Sequence, residues 1–184
     1  MQQGKGPGFE QWAKIHNLKE AAKTLTFLQE NGLTEYDVLS EKADAASNRF
    51  SNISERIKAA DKRLREITEL QKNIGVYSKT REIYKRYRES GYRKKFYAEH
   101  EADILLHKAA KKHFDSLGLK KLPTIKTLQQ EYAVLEAERK KAYREYRPAK
   151  DEMISLLTAK QNVDRLLGVP AEKRKAHEKS NSEL

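Results

Sequence analysis

The most regular pattern of apolar positions in the chain runs from Leu39 to Ile67. Leu39, Ala43, Ala46, Phe50, Ile53, Ile57, Ala60, Leu64 and Ile67 alternate steps of four and three residues. Ile74 falls one heptad after Ile67, with Gln71 in the position between. A repeat averaging 3.5 residues keeps a narrow apolar seam against a partner helix through slight supercoiling. The pattern predicts a long coiled-coil helix over 34–75, opened by Thr34-Glu-Tyr-Asp37, a capping box with Asp in place of the usual Glu. Three alanines on the seam imply close approach or a bulky residue opposite, and Phe50 requires the converse, a small residue facing it.

A second seam reads Ile125, Leu128, Tyr132, Leu135, Arg139, Ala142, Tyr146, Ala149, Met153, Leu156, Lys160, Val163 and Leu167. It predicts a helix over 123–167 with Pro123 in its first turn, where a missing N–H costs nothing. Arg139 and Lys160 can lay their methylene stems along the seam and keep their charges at its edge. Pro148 should kink this helix or interrupt its hydrogen bonds near Arg144. The two predicted helices match in length, at roughly 60–65 Å each, and in period, so they should pair with each other.

Shorter elements surround the pair. Phe9, Trp12, Ile15, Leu18, Ala22, Leu25 and Leu28 give an N-terminal helix over 8–31 one apolar face, with Gly32 as terminator. Trp12 reads as core by position, with an interface anchor as the other use of its ring. The piece 76–122 divides at Gly91 into a short basic helix near Ser78 to Glu89 and a second helix from Tyr92 to Leu117, ended by Gly118. Phe96, Ile104, Leu105, Leu106, Ala109, Ala110, Phe114 and Leu117 are denser than one stripe, which predicts packing on two sides. Residues 169–184, rich in Lys and poor in apolar side chains, read as a disordered tail after the stop at Gly168-Val-Pro170. The fold expected is all-α, a single helical module over 1–168. It is an elongated antiparallel coiled-coil hairpin of two long helices, with a small helical head (76–122) and a short N-terminal helix. A three-helix up-down-up bundle is the alternative.

Composition narrows the function. Of 184 residues, 38% are hydrophobic and 35% charged, with 8 Gly and 4 Pro, which suits long helices that each bury one stripe. The chain holds no cysteine, so disulfides, cysteine zinc sites and thiol nucleophiles are excluded. That suits a reducing compartment, and a cytoplasmic setting is expected. No apolar run approaches the ~18 residues of a membrane span, and no membrane partner is expected. The opening Met1-Gln-Gln-Gly-Lys-Gly-Pro-Gly8 has no signal-peptide core and reads as an interior piece of a longer protein behind a start Met. A net charge of +11 favours a polyanionic partner.

The cations concentrate between Tyr77 and Tyr97. Lys79, Arg81, Lys85, Arg86, Arg88, Arg93, Lys94 and Lys95 stand against Glu82 and Glu89, with Tyr84, Tyr87 and Tyr92 among the aromatic residues between them. Cations neutralise phosphates and aromatic faces stack exposed bases, so these eleven residues form a candidate nucleic-acid site. Binding there would follow the backbone without base readout. In the plainer alternative the tyrosines pack the head and the cations are merely solvated. His100, Asp103 and His107 share roughly one helix face, but no HxH or HExxH pattern occurs, and Asp103 with His107 suits a helical side-chain pair. No metal site, cofactor or catalytic residue is expected, since no nucleophile elbow or phosphate loop is present.

Several strings resemble the C-terminal region of relaxases, the mobilisation nucleases of bacterial conjugative and mobilisable elements. They are Gly4-Lys-Gly-Pro-Gly-Phe-Glu-Gln-Trp-Ala-Lys14, Asn17-Leu-Lys19 through Leu25, Ser90-Gly-Tyr-Arg-Lys-Lys-Phe-Tyr-Ala-Glu-His-Glu-Ala-Asp-Ile-Leu-Leu-His107, Leu122-Pro-Thr-Ile-Lys-Thr-Leu128 and Thr158-Ala-Lys-Gln-Asn-Val-Asp-Arg-Leu-Leu-Gly168. The likeness spans roughly 4–168. It implies a parent that nicks one DNA strand at a transfer origin and escorts it, with a nucleophilic Tyr and a His-held metal in a separate catalytic domain. The histidines here, at 16, 100, 107, 113 and 177, make no such cluster, so no catalytic residue carries over. DNA is the partner this implies, with transfer-machinery proteins as further candidates. The competing reading is an assembly or recruitment scaffold that self-associates through its heptads and touches no nucleic acid.

Overall fold

The computed structural model describes residues 7–118 and 121–169. The side chains of Phe9 and Trp12, and the expected tail beyond Val169, lie outside what is described. Five helices follow one another: α1 (Pro7–Glu30), α2 (Tyr36–Glu89), α3 (Lys94–Glu99), α4 (Glu101–Ser116) and α5 (Ile125–Leu166). Among the described residues there is no strand, and the chain is all-α as its periodicity requires. The residues group into two compact units, one of Met1–Glu55 with Ala142–Leu184, the other of Arg56–Lys141. Helices α2 and α5 contribute to both.

In the first unit, α2 and α5 pack antiparallel along the expected seams. Leu39, Ala43 and Ala46 are buried with Leu33, Leu156 and Ala159, and Met153, Leu157 and Val163 close round them. Lys160 is 8% exposed, its stem in the seam and its Nζ 3.7 Å from Asp44 Oδ1. Arg49 reaches Glu152 at 2.9 Å, and the Tyr36 hydroxyl donates to Asp164 Oδ1 at 2.6 Å. That bond stabilises the protonated phenol beside a carboxylate and pushes Tyr36 up to about 12. Phe50 does not face a small residue. Its ring lies 5.0 Å from that of Tyr146, tilted by 50°, and two half-buried aromatics share the width that a large–small pair would have filled.

The turn into α2 is a Schellman motif, with Leu33 N–H bonded to Leu28 O at 2.8 Å, Gly32 N–H to Gln29 O at 3.2 Å, and Gly32 at φ +63°. Leu33, which carries no periodic signal, is thereby buried. Among its described side chains, α1 buries little of its predicted apolar face. Thr24 is buried and accepts a 2.8 Å bond from Asn162, with Phe27 and Leu28 packed beside the core. Ile15, Leu18 and Leu25 are 50%, 72% and 58% exposed. Helix α1 is apolar on several sides, so periodicity could not choose which side faces the core.

In the second unit, Ile67, Leu70, Ala110, Phe114 and Leu128 form the core, with Ile74, Tyr77, Tyr132 and Leu135 against it. It joins α2, α4 and α5. Arg139 meets Asp61 at 2.9 Å, and Arg63 grips Glu131 with two bonds, at 2.7 and 3.2 Å. Leu70, off the strict heptad, is buried because α4 covers α2 on a second side. Helix α4 itself packs on one side only. Ile104, His107, Ala110 and Phe114 are buried, while Leu105, Leu106 and Leu117 are each half exposed. The expected two-sided packing is therefore absent.

Four boundaries differ from expectation. No break follows residue 75: the predicted basic helix is the C-terminal part of α2, because Gly75 lies mid-helix and one glycine costs too little to stop it. The predicted helix over 92–117 is interrupted at His100 and becomes α3 and α4. Helix α5 begins at Ile125, where Thr124 Oγ1 accepts from Thr127 N–H at 3.1 Å, so Pro123 precedes the helix. Similarly, α2 starts at Tyr36, and Glu35 rather than Thr34 holds the cap position, its carbonyl accepting from Leu39 N–H. Helix α5 runs on through Pro148, which has no N–H to offer the Arg144 carbonyl, while Ala142 and Ala149 on either side are buried in the seam.

Nothing lies within 4 Å of a Cβ built on Gly75. Gly75→Ala should therefore stabilise the protein by about 0.5–1 kcal/mol, read as a higher midpoint in urea unfolding with an unchanged slope.

Candidate nucleic-acid interface

Beyond Ile74, α2 runs on through Glu89, and its aromatic positions need another cover. Helix α4 supplies it. His107, 3% exposed, lies between two tyrosines two turns apart on α2: Tyr77 at 4.3 Å and 21°, and Tyr84 at 4.3 Å and 19°. The three rings form one stacked column. Thr80, on the turn between the tyrosines, donates its hydroxyl to Val76 O at 2.8 Å, which leaves its oxygen to accept from His107 Nδ1–H at 3.0 Å. This is the Nδ1-protonated tautomer, assigned from the bonding. His107 thus turns to Thr80 and not to Asp103. Burial in the column holds its pKa below 6.5, and the Lys111 ammonium adds to this, while a backbone bond at Tyr77 pulls the other way.

The column forms one wall of an open groove of about 700 Å³, lined by Tyr77, Arg81, Tyr84, Lys85, Arg88, Glu89 and Tyr92, with His107 and Lys111 from α4. Arg81, Lys85, Arg88 and Lys111 are exposed, and Glu89 is the one carboxylate in the lining. Glu89 sits 4.0 Å from Lys85. Among the described residues Arg81, Arg88 and Lys111 join no ion pair. Positions 77, 81, 84 and 88 lie on one face of α2 by helical spacing, so the register of the helix gathers these groups.

Of the eleven predicted residues, five line the groove: Arg81, Lys85, Arg88, Tyr84 and Tyr92. Lys79, Arg86, Arg93, Lys94 and Lys95 are exposed but lie outside it. Tyr87 is 8% exposed and serves the fold. Its ring meets Tyr92 edge-on at 5.1 Å and 86°, stacks on Phe96 at 6.3 Å, and touches Tyr97 at 5.8 Å. Lys108 Nζ lies about 6 Å above both Tyr87 and Tyr97. Burial and the nearby Glu101 carboxylate push the Tyr97 hydroxyl up.

The expectation missed Tyr77, His107 and Lys111. For the two α4 residues no signal existed before α4 was placed on α2, since they lie far along the chain. The seven-residue Tyr77–Tyr84 spacing was readable as one helix face. Among the described residues no group of three or more His, Cys, Asp or Glu side chains could hold a metal. None of the described helices is long and apolar enough to cross a membrane. Comparison with protein-family models, with curated proteins and with solved structures finds no match for this chain.

Since the folded state disfavours the His107 cation, acid should loosen this part of the fold. Above about pH 6.5 both folded and unfolded chains hold the ring neutral. As pH falls below that, the unfolded chain takes up the proton first, and stability drops until the lower folded value is passed. Thermal unfolding between about pH 7 and pH 5.5 should show a larger fall in Tm for the wild type than for His107→Gln. Parallel profiles for the two proteins would contradict this.

Proposed function

We propose that this chain is a non-catalytic helical region that holds DNA by its phosphate backbone in the groove between α2 and α4. One observation carries the reading: Arg81, Lys85, Arg88 and Lys111 converge on a single groove against one carboxylate. Cations held on two helices cannot all turn away from each other, and a polyanion relieves their repulsion while releasing its own counterions. The tyrosines offer ring faces beside them. The likeness to relaxase C-terminal regions supports DNA as the polymer and a cytoplasmic, conjugative setting, with nicking chemistry belonging to a separate part of the parent protein.

Fluorescence anisotropy with labelled DNA across a salt series tests this. Affinity should fall steeply with salt. The double variant Arg81→Glu/Arg88→Glu should lose at least about tenfold in affinity at low salt and flatten the salt slope by about two. Lys79→Glu/Arg86→Glu, outside the groove, should lose much less. Equal losses from the two doubles, or no binding at low salt, would remove the groove from the account.

A second reading, an assembly module, is favoured by Ile15, Leu18 and Leu25, which leave an apolar stripe of α1 in water. Sedimentation over a concentration series decides it: self-association that Leu18→Glu abolishes supports assembly, and a monomer at high concentration rules out assembly by self-pairing.

A further inference from the structure

Among its described side chains, α1 is covered on one side only. Thr24, Phe27 and Leu28 face the core of the first unit. By helical spacing Ile15, Leu18, Ala22 and Leu25 lie on the other side, and all four are exposed. Their steps of three, four and three residues repeat the alternation that α2 and α5 bury against each other. A stripe this narrow suits another helix, whereas a helix lying in a lipid surface needs a broad apolar face.

Charge decides which helix fits. In a coiled coil, the positions flanking the apolar seam meet flanking positions of the partner. On α1 two of these are Lys14, beside Ile15, and Lys19, beside Leu18. Both are exposed, and among the described residues neither joins an ion pair. Lys23, by contrast, is held by Glu20 at 2.9 Å. A second copy paired in parallel through this stripe would set its Lys19 against Lys14 at both edges. Paired antiparallel with the stripes in full overlap, the two copies of Lys19 would meet. Either arrangement brings like charges together, so self-pairing is opposed and acidic flanks are favoured.

We infer that the exposed stripe of α1 docks an acidic amphipathic helix of a different protein. That helix carries apolar residues at the same spacing and Glu or Asp on both flanks, where they meet Lys14 and Lys19. The inference rests on the assembly reading above and gives it a partner: the stripe recruits another chain and does not join two copies of this one. The cationic groove is built by α2 and α4 and plays no part in it.

The test uses the full chain with two labelled synthetic peptides of about three heptads, both with Leu on the seam. One carries Glu on its flanks and the other Lys. In fluorescence anisotropy the Glu peptide should bind, and the Lys peptide should bind at least about fivefold more weakly. Leu18→Glu should abolish binding of the Glu peptide. Leu18 is 72% exposed, so this variant should fold, checked by helical circular dichroism. Lys14→Glu/Lys19→Glu should reverse the preference between the peptides, which a merely apolar surface would not do. Equal binding of the two peptides would overturn the acidic partner, and binding of neither would overturn the docking site. Self-association in sedimentation that Leu18→Glu abolishes would keep the assembly reading and overturn this inference. Binding to phosphatidylserine–phosphatidylcholine vesicles, lost in Leu18→Glu and without peptide binding, would assign the stripe to a lipid surface instead.

Discussion

Helices α2 and α5 can exist at their lengths only because each hides its apolar stripe against the other. With 35% of residues charged, neither has a second surface that would hold it alone. Isolated helices owe little stability to propensity, and most of it comes from burying one face. Fully buried Leu39, Ile67 and Leu128 contribute about 1.5–3 kcal/mol each by leaving water. Small residues at Ala43, Ala46, Ala142, Ala149 and Ala159 add little area, but they allow close approach of the backbones. The ion pairs at the seam edge, Lys160–Asp44 in one unit and Arg139–Asp61 in the other, are too exposed or too long to add much stability. Their contribution is register: each is satisfied only when the antiparallel helices are in step.

The groove follows from that pairing. Helix α2 has no strong breaker before Gly91, so it continues past the last seam residue, Ile74. There Tyr77, Thr80 and Tyr84 need a cover that α4 provides, through a buried histidine slotted between two rings and bonded to the Thr80 hydroxyl. Covering that side fixes the rotation of α2. The neighbouring face, with Arg81, Lys85 and Arg88, is thereby set beside Lys111 of α4. A cationic groove with an aromatic wall results from residues that serve stability on one side of the helix and remain solvated on the next.

Much of the fold was legible because heptads report burial directly. Eight of the nine regular seam positions from Leu39 to Ile67 are buried, with Phe50 the half-buried exception. Glycine stops were legible for the same local reason: Gly32, Gly91, Gly118 and Gly168 all adopt positive φ. The candidate site was legible only in outline. Composition located the basic–aromatic stretch, but five of its eight cations lie outside the groove and Tyr87 belongs to the core. A list of residues carries no rotation about the helix axis until something packs on that helix.

What this chain's sequence determined unaided is its helical class, the seam residues of its two long helices apart from the exposed Ile125 and Leu167 at the ends of the second, and the segment where its positive charge gathers. These depend on spacing along one strand of chain and on local backbone preference. Tertiary structure alone decided which side of α1 faces the core, that Leu105 and Leu106 stay in water, and that His107 enters between Tyr77 and Tyr84. Each of those choices compares faces of similar apolarity, or brings together residues far apart in sequence. Only the competition among packed alternatives resolves them.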